Sequence, residues 1–389
     1  MGYDNLIRDE PAGGASAQPL WQRYRGEFPI TDRLVYLNHA AVAPLCRRAA
    51  DAMKALADDA LLYGAAHYDQ WLAAYAGVRA AAARLIGAAP AEIAIVKNTS
   101  EGIATVAAGT SWRAGDKIVA FEDEFPANLY PWKRLEERGV KVEWLRSGAQ
   151  LDRIDEAAVG ARLLAVSFVG YLSGYRADIE GIGEICRRRG CFLLVDAIQG
   201  IGAFPLDVQR ANIDALAADG HKWMLGPEGC GVLYVRRERQ DEIEPVEFGW
   251  TNVAGYADYA SRDMTLRADA GRYECGTLNT IGCFGLRAAL EFVLEVGVER
   301  VAPAVQALGD AVAAGAQQRG YETLVERTPE TGSGIVSIRH PSLDHRMVVR
   351  QLREQGFMTA PRQGWVRVSP HFYISPAEID AFTAALPAR

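Results

Sequence analysis

The chain has 389 residues, and 42 Lys and Arg against 49 Asp and Glu give it a formal net charge of −7. This balance argues against nucleic acid as a partner, because a nucleic-acid-binding surface needs a basic patch. No run of about 18 or more apolar residues occurs, so no membrane span is expected.

The first two thirds of the chain alternate between strand-like and helix-like segments. Residues 1–18 are polar, with Gly, Ala and Ser, and predict a flexible lead rather than a secretory signal. From about Ala49 to Ile86 the apolar spacing is helical. The short, mostly continuous apolar runs that follow predict strands buried on both faces, in a largely parallel α/β sheet. These runs are Ile93–Val96, Lys117–Phe121, Val140–Leu145, Leu163–Phe168, Phe192–Val195, Ala215–Ala218 and Gly231–Val235. A helix is expected at Ile179–Arg189, before Gly190.

The alternation breaks after about Gln240. A loop-rich stretch, Glu247–Gly276, precedes a predicted helix at roughly Gly282–Val296, and a last helix is expected near Pro376–Leu386. We therefore predict a flexible lead (1–18), a large domain (19–275) and a smaller C-terminal domain (276–389) that begins with a linking helix. The first residues of the large domain are expected to pack with the small domain.

The cysteines and the common sequence motifs exclude several chemistries. None of the six cysteines forms a C-x-x-C pair, so no metal site or redox pair is predicted. Scattered cysteines in an α/β chain instead predict reduced thiols and a cytoplasmic location. A G-x-G-x-x-G motif does not open a first βα unit, which argues against a nicotinamide-dependent dehydrogenase.

Polar residues that follow the predicted strands are the candidate site residues, because ligands of open α/β sheets bind at the carboxyl ends of the strands. Asp196 follows one apolar run and is either a turn cap or a buried carboxylate that pairs with a cation. Lys222 follows the next run; it is either a surface lysine or, if buried, a nucleophile towards carbonyls with a lowered pKa. Asn98, Thr99 or Ser100 could cap the helix that follows, residues 98–101 could bind a phosphate, and the two roles can coexist.

Together these segments supply an amine, a carboxylate and a phosphate cradle. Val-Asp-Ala-Ile-Gln at 195–199, Gly-His-Lys at 220–222 and Gly-Pro-Glu-Gly at 226–229 resemble the class V aminotransferases of fold-type I. That group includes cysteine desulfurases, kynureninase-like enzymes and isopenicillin-N-epimerase-like proteins. The resemblance runs from about Tyr36 to Tyr373. It implies an α/β fold-type I transferase, with a mostly parallel sheet between helices, and pyridoxal 5′-phosphate (PLP) as the cofactor.

The resemblance also implies a role for individual residues. Lys222 would hold PLP as a Schiff base and move the α-proton of the substrate. Asp196 would keep the pyridine nitrogen protonated, and Gln199 would bond the phenolic oxygen. The other implied cofactor contacts are Thr99, Ser100 and His221 at the phosphate, Phe125 stacked on the ring, and Trp250 at the phosphate.

The remaining implied contacts concern a partner subunit and the substrate. Thr277 matches a Thr that relatives bring to the phosphate of the partner, which implies a homodimer with shared sites. A substrate carboxylate needs an Arg, and both Arg362 and Arg367 are candidates. His39 would lie near the substrate pocket, or it could be a structural turn residue.

The departures from the family bear on the reaction. No Cys follows Cys283, and the segment between Arg362 and Arg367 is very short, which disfavours a desulfurase that forms its own persulfide. Tyr171 stands where desulfurases often have Asn, and Asp219 stands where relatives often have Ser or Thr. We predict an aminotransferase-type enzyme that acts on an α-amino acid. A cysteine- or selenocysteine-type lyase, an epimerase and a catalytically silent PLP-fold binding protein are the alternatives.

Overall fold

The computed structural model describes residues 18–388. Apart from Gln18, the predicted flexible lead lies outside the described residues. No helix between residues 18 and 388 is long and apolar enough to cross a membrane. The cytoplasmic location stays a prediction.

The helices and strands alternate along the first part of the chain, as predicted. The α-helices are α1 (Leu20–Arg23), α2 (Arg47–Tyr63), α3 (Tyr68–Ile86), α4 (Thr99–Gly109), α5 (Tyr130–Glu136), α6 (Leu151–Ala158), α7 (Ile179–Arg189), α8 (Thr280–Val296), α9 (Val298–Gln318), α10 (His345–Glu354) and α11 (Pro376–Ala385). The strands are β1 (Val35–Tyr36), β2 (Ile93–Val96), β3 (Lys117–Phe121), β4 (Lys141–Leu145), β5 (Leu163–Ser167), β6 (Phe192–Asp196), β7 (Ala215–Asp219), β8 (Gly231–Val235), β9 (Glu322–Thr323), β10 (Val336–Arg339), β11 (Phe357–Met358), β12 (Ala360–Arg362) and β13 (Trp365–Val368).

All seven predicted strands form one sheet, in the order β2-β8-β7-β6-β5-β3-β4. Strands β3 to β7 are parallel to one another, and β8 runs antiparallel to both of its neighbours, β2 and β7. Because β2 is therefore parallel to β7, the carboxyl ends of β2, β3, β5, β6 and β7 lie at one edge of the sheet. This arrangement confirms the predicted α/β fold with a mostly parallel sheet.

The helical stretch after Ala49 is divided into two helices. Gly64, at φ 59°, ends α2, and α3 begins at Tyr68. A left-handed backbone of this kind favours glycine and stops a helix. The side chain of Asn279 accepts a hydrogen bond from the Gly282 N–H and caps α8, which therefore begins at Thr280, two residues before its predicted start.

The C-terminal part of the chain forms a four-stranded antiparallel sheet, β12-β13-β10-β9. Strand β1, near the start of the described chain, pairs in parallel with β11 near its end. This pairing brings the first residues of the predicted large domain against the predicted small one. The domain boundary at residues 275 and 276 stays a prediction.

Gly183, in the middle of α7, packs closely against the backbone at Ala211, and this contact leads to a stability prediction. A Cβ at this position would lie 1.8 Å from the carbonyl oxygen of Ala211. Helix propensity alone would favour Ala over Gly by about 1 kcal/mol. We expect Gly183→Ala instead to lower the free energy of unfolding by about 1–3 kcal/mol, because the methyl group forces α7 away from its neighbour.

The midpoint of thermal unfolding, followed by circular dichroism, measures this effect. Gly255→Ala is the matched control, since a Cβ there meets nothing within 4 Å, and its effect should stay within about 0.5 kcal/mol. An unchanged or raised midpoint for Gly183→Ala would contradict the packing described for α7.

Candidate active site

A cavity of about 340 Å³ opens at the carboxyl edge of the large sheet. Parallel strands deliver the residues that follow them to this edge, so segments far apart in the sequence meet there. Most of the predicted site residues line the cavity: Thr99, Ser100, Phe125, Asp196, Gln199, His221, Lys222, Arg362 and Arg367. Their roles towards a cofactor or a substrate stay predictions.

Asp196 and Lys222 are two ionisable groups of the cavity, at the end of β6 and in the loop that follows β7. Asp196, the last residue of β6, is buried, and burial raises the pKa of its carboxyl group to about 6 although the Ile198 N–H donates to it (3.1 Å). Burial also lowers the pKa of the Lys222 amine to about 8, against the attraction of Asp196. An amine with this pKa is partly neutral near physiological pH and can therefore act as a nucleophile or a base.

The amide of Gln199 is held in one orientation. Its Oε1 accepts a hydrogen bond from Trp223 Nε1 (3.0 Å), and its Nε2 donates to the carbonyl of Ala40 (2.9 Å). Gln199 lines the cavity, and Nε2 carries a second N–H that can donate to a ligand oxygen. The sequence analysis assigned no role to Trp223; its position directly after Lys222 was the available signal.

The phosphate cradle predicted at residues 98–101 is the N-terminus of α4. The side chain of Asn98 accepts from the Glu101 N–H (2.9 Å) and caps the helix, so Asn98 fills the capping role that the sequence left open among three residues. Thr99 and Ser100 then occupy the first turn, where backbone N–H groups have no partner within the helix. Thr99 Oγ1 also accepts from the Asp219 N–H (3.0 Å) and ties α4 to the end of β7. This geometry suits an anion.

Asp219 faces its own loop. Its Oδ1 accepts from the Gly220 N–H (2.7 Å), and its Oδ2 lies 3.0 Å from Nδ1 of His221. The carboxylate therefore accepts a hydrogen bond from the loop that carries Lys222 and lies beside the His221 ring, whose Nδ1 forms no hydrogen bond. This contact gives the acidic residue, unexpected beside a phosphate cradle, a structural explanation.

Two arginines of the C-terminal part of the chain, Arg362 and Arg367, also line the cavity. Arg367 is buried, and its guanidinium donates to the carbonyl of Tyr171 (2.8 Å). Burial, together with the nearby charge of Arg362, lowers its pKa to about 9. Within residues 18–388 neither arginine forms an ion pair with a carboxylate, so an anionic ligand would supply the missing counter-charge.

Three predicted site residues lie away from this cavity. His39 is completely buried: its Nδ1 is bonded to the carbonyl of Ser369 (2.7 Å) and its Nε2 to the hydroxyl of Tyr373 (2.5 Å). Burial lowers its pKa to about 4. The structural alternative for His39 is therefore the one that fits, because both ring nitrogens are used and neither faces the cavity.

Trp250 and Thr277 are exposed rather than placed beside Lys222. Trp250 is 44% exposed and packs edge-on against Tyr256 and Tyr259. Thr277 lines a separate cavity that also contains Lys97. Within one chain neither residue reaches the cavity of Lys222, so their predicted cofactor contacts would require a partner subunit.

Glu124 is a buried residue of the site region that the sequence analysis missed. Its carboxyl group accepts from the N–H of Ser167 (2.6 Å) and from the Ser167 hydroxyl, and burial raises its pKa to about 8. These bonds anchor the loop that presents Phe125, whose ring centroid lies 5.8 Å from Lys222 Nζ. The only signal in the sequence was its place directly before Phe125.

Comparisons with known proteins agree with this site. The profile of the family Aminotransferase class-V matches residues 35–382. The chain belongs to this family. It is a PLP-dependent enzyme, and the amine, carboxylate and helix N-terminus that line the cavity fit that cofactor.

The class V chain has relatives over almost its whole length. It is 30% identical to a probable cysteine desulfurase of Pyrococcus abyssi, over 93% of this chain and 96% of the relative. A solved cysteine desulfurase of Thermococcus onnurineus superposes with a TM-score of 0.86 at 28% identity, over 93% and 96% of the two chains. A solved cystine C–S lyase, bound to its product cysteine persulfide, gives 0.86 at 25% identity, over 92% and 98%.

The lowered pKa of Lys222 predicts how the rate at which the cofactor-free enzyme captures PLP depends on pH. Only the neutral amine attacks the aldehyde, so the capture rate should rise with pH up to about 8 and then level off. For an exposed lysine, whose pKa is about 10.4, the capture rate would keep rising to a pH about two units higher. Stopped-flow absorbance after mixing with PLP, from about pH 6 to pH 10, measures this profile.

Lys222→Ala is the control for this experiment and should give no visible band that borohydride bleaches. A capture rate that keeps rising to about pH 10 would contradict the buried environment of the amine. A bleachable band that persists in Lys222→Ala would overturn the assignment of Lys222.

Proposed function

We propose that this class V enzyme is a C–S lyase, which breaks the carbon–sulfur bond of a cysteine-type amino acid by β-elimination and passes no sulfur to a cysteine of its own. The observation that carries the proposal is the lining of the Lys222 cavity, where no cysteine occurs among the described residues. Five of the six cysteines are buried, and the sixth, Cys275, lines the separate cavity of Thr277. Within one chain, the cavity therefore supplies no cysteine that could accept sulfur, as a desulfurase would need.

The names of the relatives also support a C–S lyase. Those reported above are named as cysteine desulfurases or as a cystine C–S lyase, so a substrate with a C–S bond is favoured over a general amino-group transfer. The turn between Arg362 and Arg367 leaves no room for a mobile loop that could carry a cysteine, because only Gln363 and Gly364 lie between β12 and β13. Transamination and epimerisation stay as alternatives that the product decides.

In the proposed reaction each side chain has a defined task. PLP, when bound, withdraws electrons from the α-carbon of the amino acid. Arg367 binds the substrate carboxylate and orients the α-carbon towards Lys222. The Lys222 amine then removes the α-proton at Nζ, since its pKa of about 8 leaves a neutral fraction to act as the base. With the cofactor bound, the buried Asp196 would keep the ring nitrogen protonated through its negative charge.

The products distinguish the candidate reactions. A lyase should convert cystine and water into pyruvate, ammonium and cysteine persulfide, and cysteine and water into pyruvate, ammonium and sulfide. A desulfurase should release alanine, a transaminase should give a keto acid without free ammonium, and an epimerase should give the D-amino acid. Coupled assays for pyruvate and ammonium, with chiral chromatography of the amino acids, measure all four.

Cys275→Ser is the matched variant, because Cys275 is the one cysteine that is not fully buried. It shares a cavity with Thr277 and is the cysteine that a shared site could use. We expect the variant to retain pyruvate formation within about twofold of the wild type, since β-elimination needs no cysteine to accept sulfur. Alanine as the main product would indicate a desulfurase and contradict the proposal. A loss of pyruvate formation in Cys275→Ser would also contradict it.

We further propose that the enzyme is a homodimer in which Thr277 contacts the cofactor of the partner subunit. Large apolar side chains are exposed in two segments of the single chain, Leu61–Tyr63 and the loop around Trp250, where Tyr259 is 79% exposed. Exposed apolar surface of this extent is typical of a subunit interface. Thr277 lies in the same part of the chain as that loop and cannot serve the Lys222 cavity of its own subunit.

Mixing two defective variants tests the shared site. Thr277→Ala should weaken PLP binding about tenfold or more, because a hydrogen bond to a charged group contributes about 1.5–3 kcal/mol. If sites are shared, subunit exchange between Thr277→Ala and Lys222→Ala should restore one intact site per mixed dimer, seen as tight PLP binding by absorbance titration. A monomer in light scattering, or no restoration on mixing, would contradict the proposal.

A further inference from the structure

Trp223 forms a buried hydrogen bond to Gln199, a residue of the cavity wall, although Trp223 itself does not line the cavity. We propose that Trp223 is a positioning residue for the cofactor: its indole N–H fixes the amide of Gln199 so that an N–H, and not the amide oxygen, faces the phenolic oxygen of PLP. The inference rests on the predicted contact between Gln199 and the cofactor, and it does not depend on the C–S lyase function.

The chemistry of its two partners fixes the orientation of the Gln199 amide. An indole nitrogen only donates a hydrogen bond, and a backbone carbonyl only accepts one. The amide atom that lies 3.0 Å from Trp223 Nε1 is therefore Oε1, and the atom that lies 2.9 Å from the carbonyl oxygen of Ala40 is Nε2. If the amide turned over, two donors would face each other at Trp223 and two acceptors at Ala40. The second N–H of Nε2 is left for the cavity.

Burial makes the bond from Trp223 important for this orientation. Gln199 is 3% exposed and Trp223 is 1% exposed, so bulk water does not replace either partner. Within the described residues, the indole supplies the hydrogen bond that Oε1 accepts. Removing one partner of a buried hydrogen bond leaves the other unsatisfied, which is costly. Without the indole N–H, the amide would keep only its bond to Ala40 and would be held less firmly.

The tryptophan is itself held in place by close packing. A Cβ on Gly334, two residues before β10, would lie 2.4 Å from Cη2 of the indole ring. A Cβ on Gly202 would lie 2.4 Å from the Trp223 carbonyl oxygen, which also contacts Nε2 of His371 (3.3 Å). Both the ring and the backbone of Trp223 are thus restrained by neighbours. The donor is therefore in position before a ligand enters the cavity.

The orientation of the amide matters because the phenolic oxygen of bound PLP carries negative charge. An N–H of Gln199 stabilises this charge, and it does so more strongly once the chromophore has lost its proton and no positive group shares the charge. The donor therefore lowers the pH at which the visible band of the holoenzyme changes. An amide oxygen in the same place would raise that pH by repulsion.

Trp223→Phe keeps an aromatic ring and removes the N–H donor. We expect the pH midpoint of the visible band to rise by about 0.5 unit or more, which corresponds to about a threefold change in the equilibrium constant for proton loss. The cofactor-free variant should also bind PLP about threefold or more weakly. Absorbance spectra of the holoenzyme from about pH 5 to pH 10 give the midpoint, and absorbance titration gives the Kd.

Other charged groups of the cavity also influence the midpoint, but they are the same in every variant and cancel in the comparison. Besides Lys222, they are Asp196, Asp219, His221, Glu228, Arg362 and Arg367.

A double-mutant cycle shows whether the effect passes through Gln199. Gln199→Met removes the amide and should itself raise the midpoint. In the Gln199→Met background, Trp223→Phe should shift the midpoint by less than about 0.2 unit, because the group that it positions is gone. Trp132→Phe is the matched control, since its fully buried indole donates to the amide oxygen of Asn128 over the same 3.0 Å. It should leave the midpoint unchanged.

An unchanged midpoint in Trp223→Phe, with a shifted one in Gln199→Met, would overturn the proposal and leave the contact of Gln199 with the cofactor intact. Equal shifts from Trp223→Phe with and without Gln199 would overturn it as well, because they indicate a general packing effect. An unchanged midpoint in Gln199→Met would overturn both the contact and the proposal. None of these titrations requires a substrate, so a failure of the lyase function would be seen separately.

Thermal unfolding followed by circular dichroism shows whether each variant is folded. If Trp223→Phe does not fold, Trp223→Met removes the same donor with a flexible side chain that fills irregular space. The same rise of the midpoint is expected for it, and an unchanged midpoint would overturn the proposal.

Discussion

The burial of a lysine amine beside a carboxylate is the constraint on which the rest of the structure depends. Asp196 and Lys222 follow the neighbouring parallel strands β6 and β7, which place them at one edge of the sheet. Withdrawing both groups from water is costly, and their attraction offsets only part of that cost. The fold accepts this cost because the same desolvation lowers the pKa of the amine and makes it reactive towards a carbonyl.

Hydrogen bonds between distant segments hold this pair in place. Trp223, next to Lys222, donates to Gln199, and its carbonyl contacts Nε2 of His371 (3.3 Å) near the end of the chain. The N–H of Ala43 donates to the carbonyl of His221 (2.8 Å), so the start of the chain also supports the loop of the lysine. The reactive loop is therefore held by residues that lie far before and far after it in the sequence.

The proposed elimination reaction depends on which residues surround the amine and the carboxylate. Enzymes of class V share the amine and the carboxylate, so these residues alone do not choose between elimination, sulfur transfer and transamination. The choice depends on the surroundings: a cavity without a cysteine among the described residues, and a tight hairpin that presents two arginines.

The sequence by itself determined the seven strands of the large sheet, the family and the cluster around Asp196, Gln199 and Lys222. These features depend on local periodicity and on short motifs, which are readable in one dimension. Only the tertiary structure decided that His39 is a buried structural residue, because its partners lie about 330 positions away. It also revealed Glu124, since burial and the bonds to Ser167 depend on contacts between distant segments that no local pattern records.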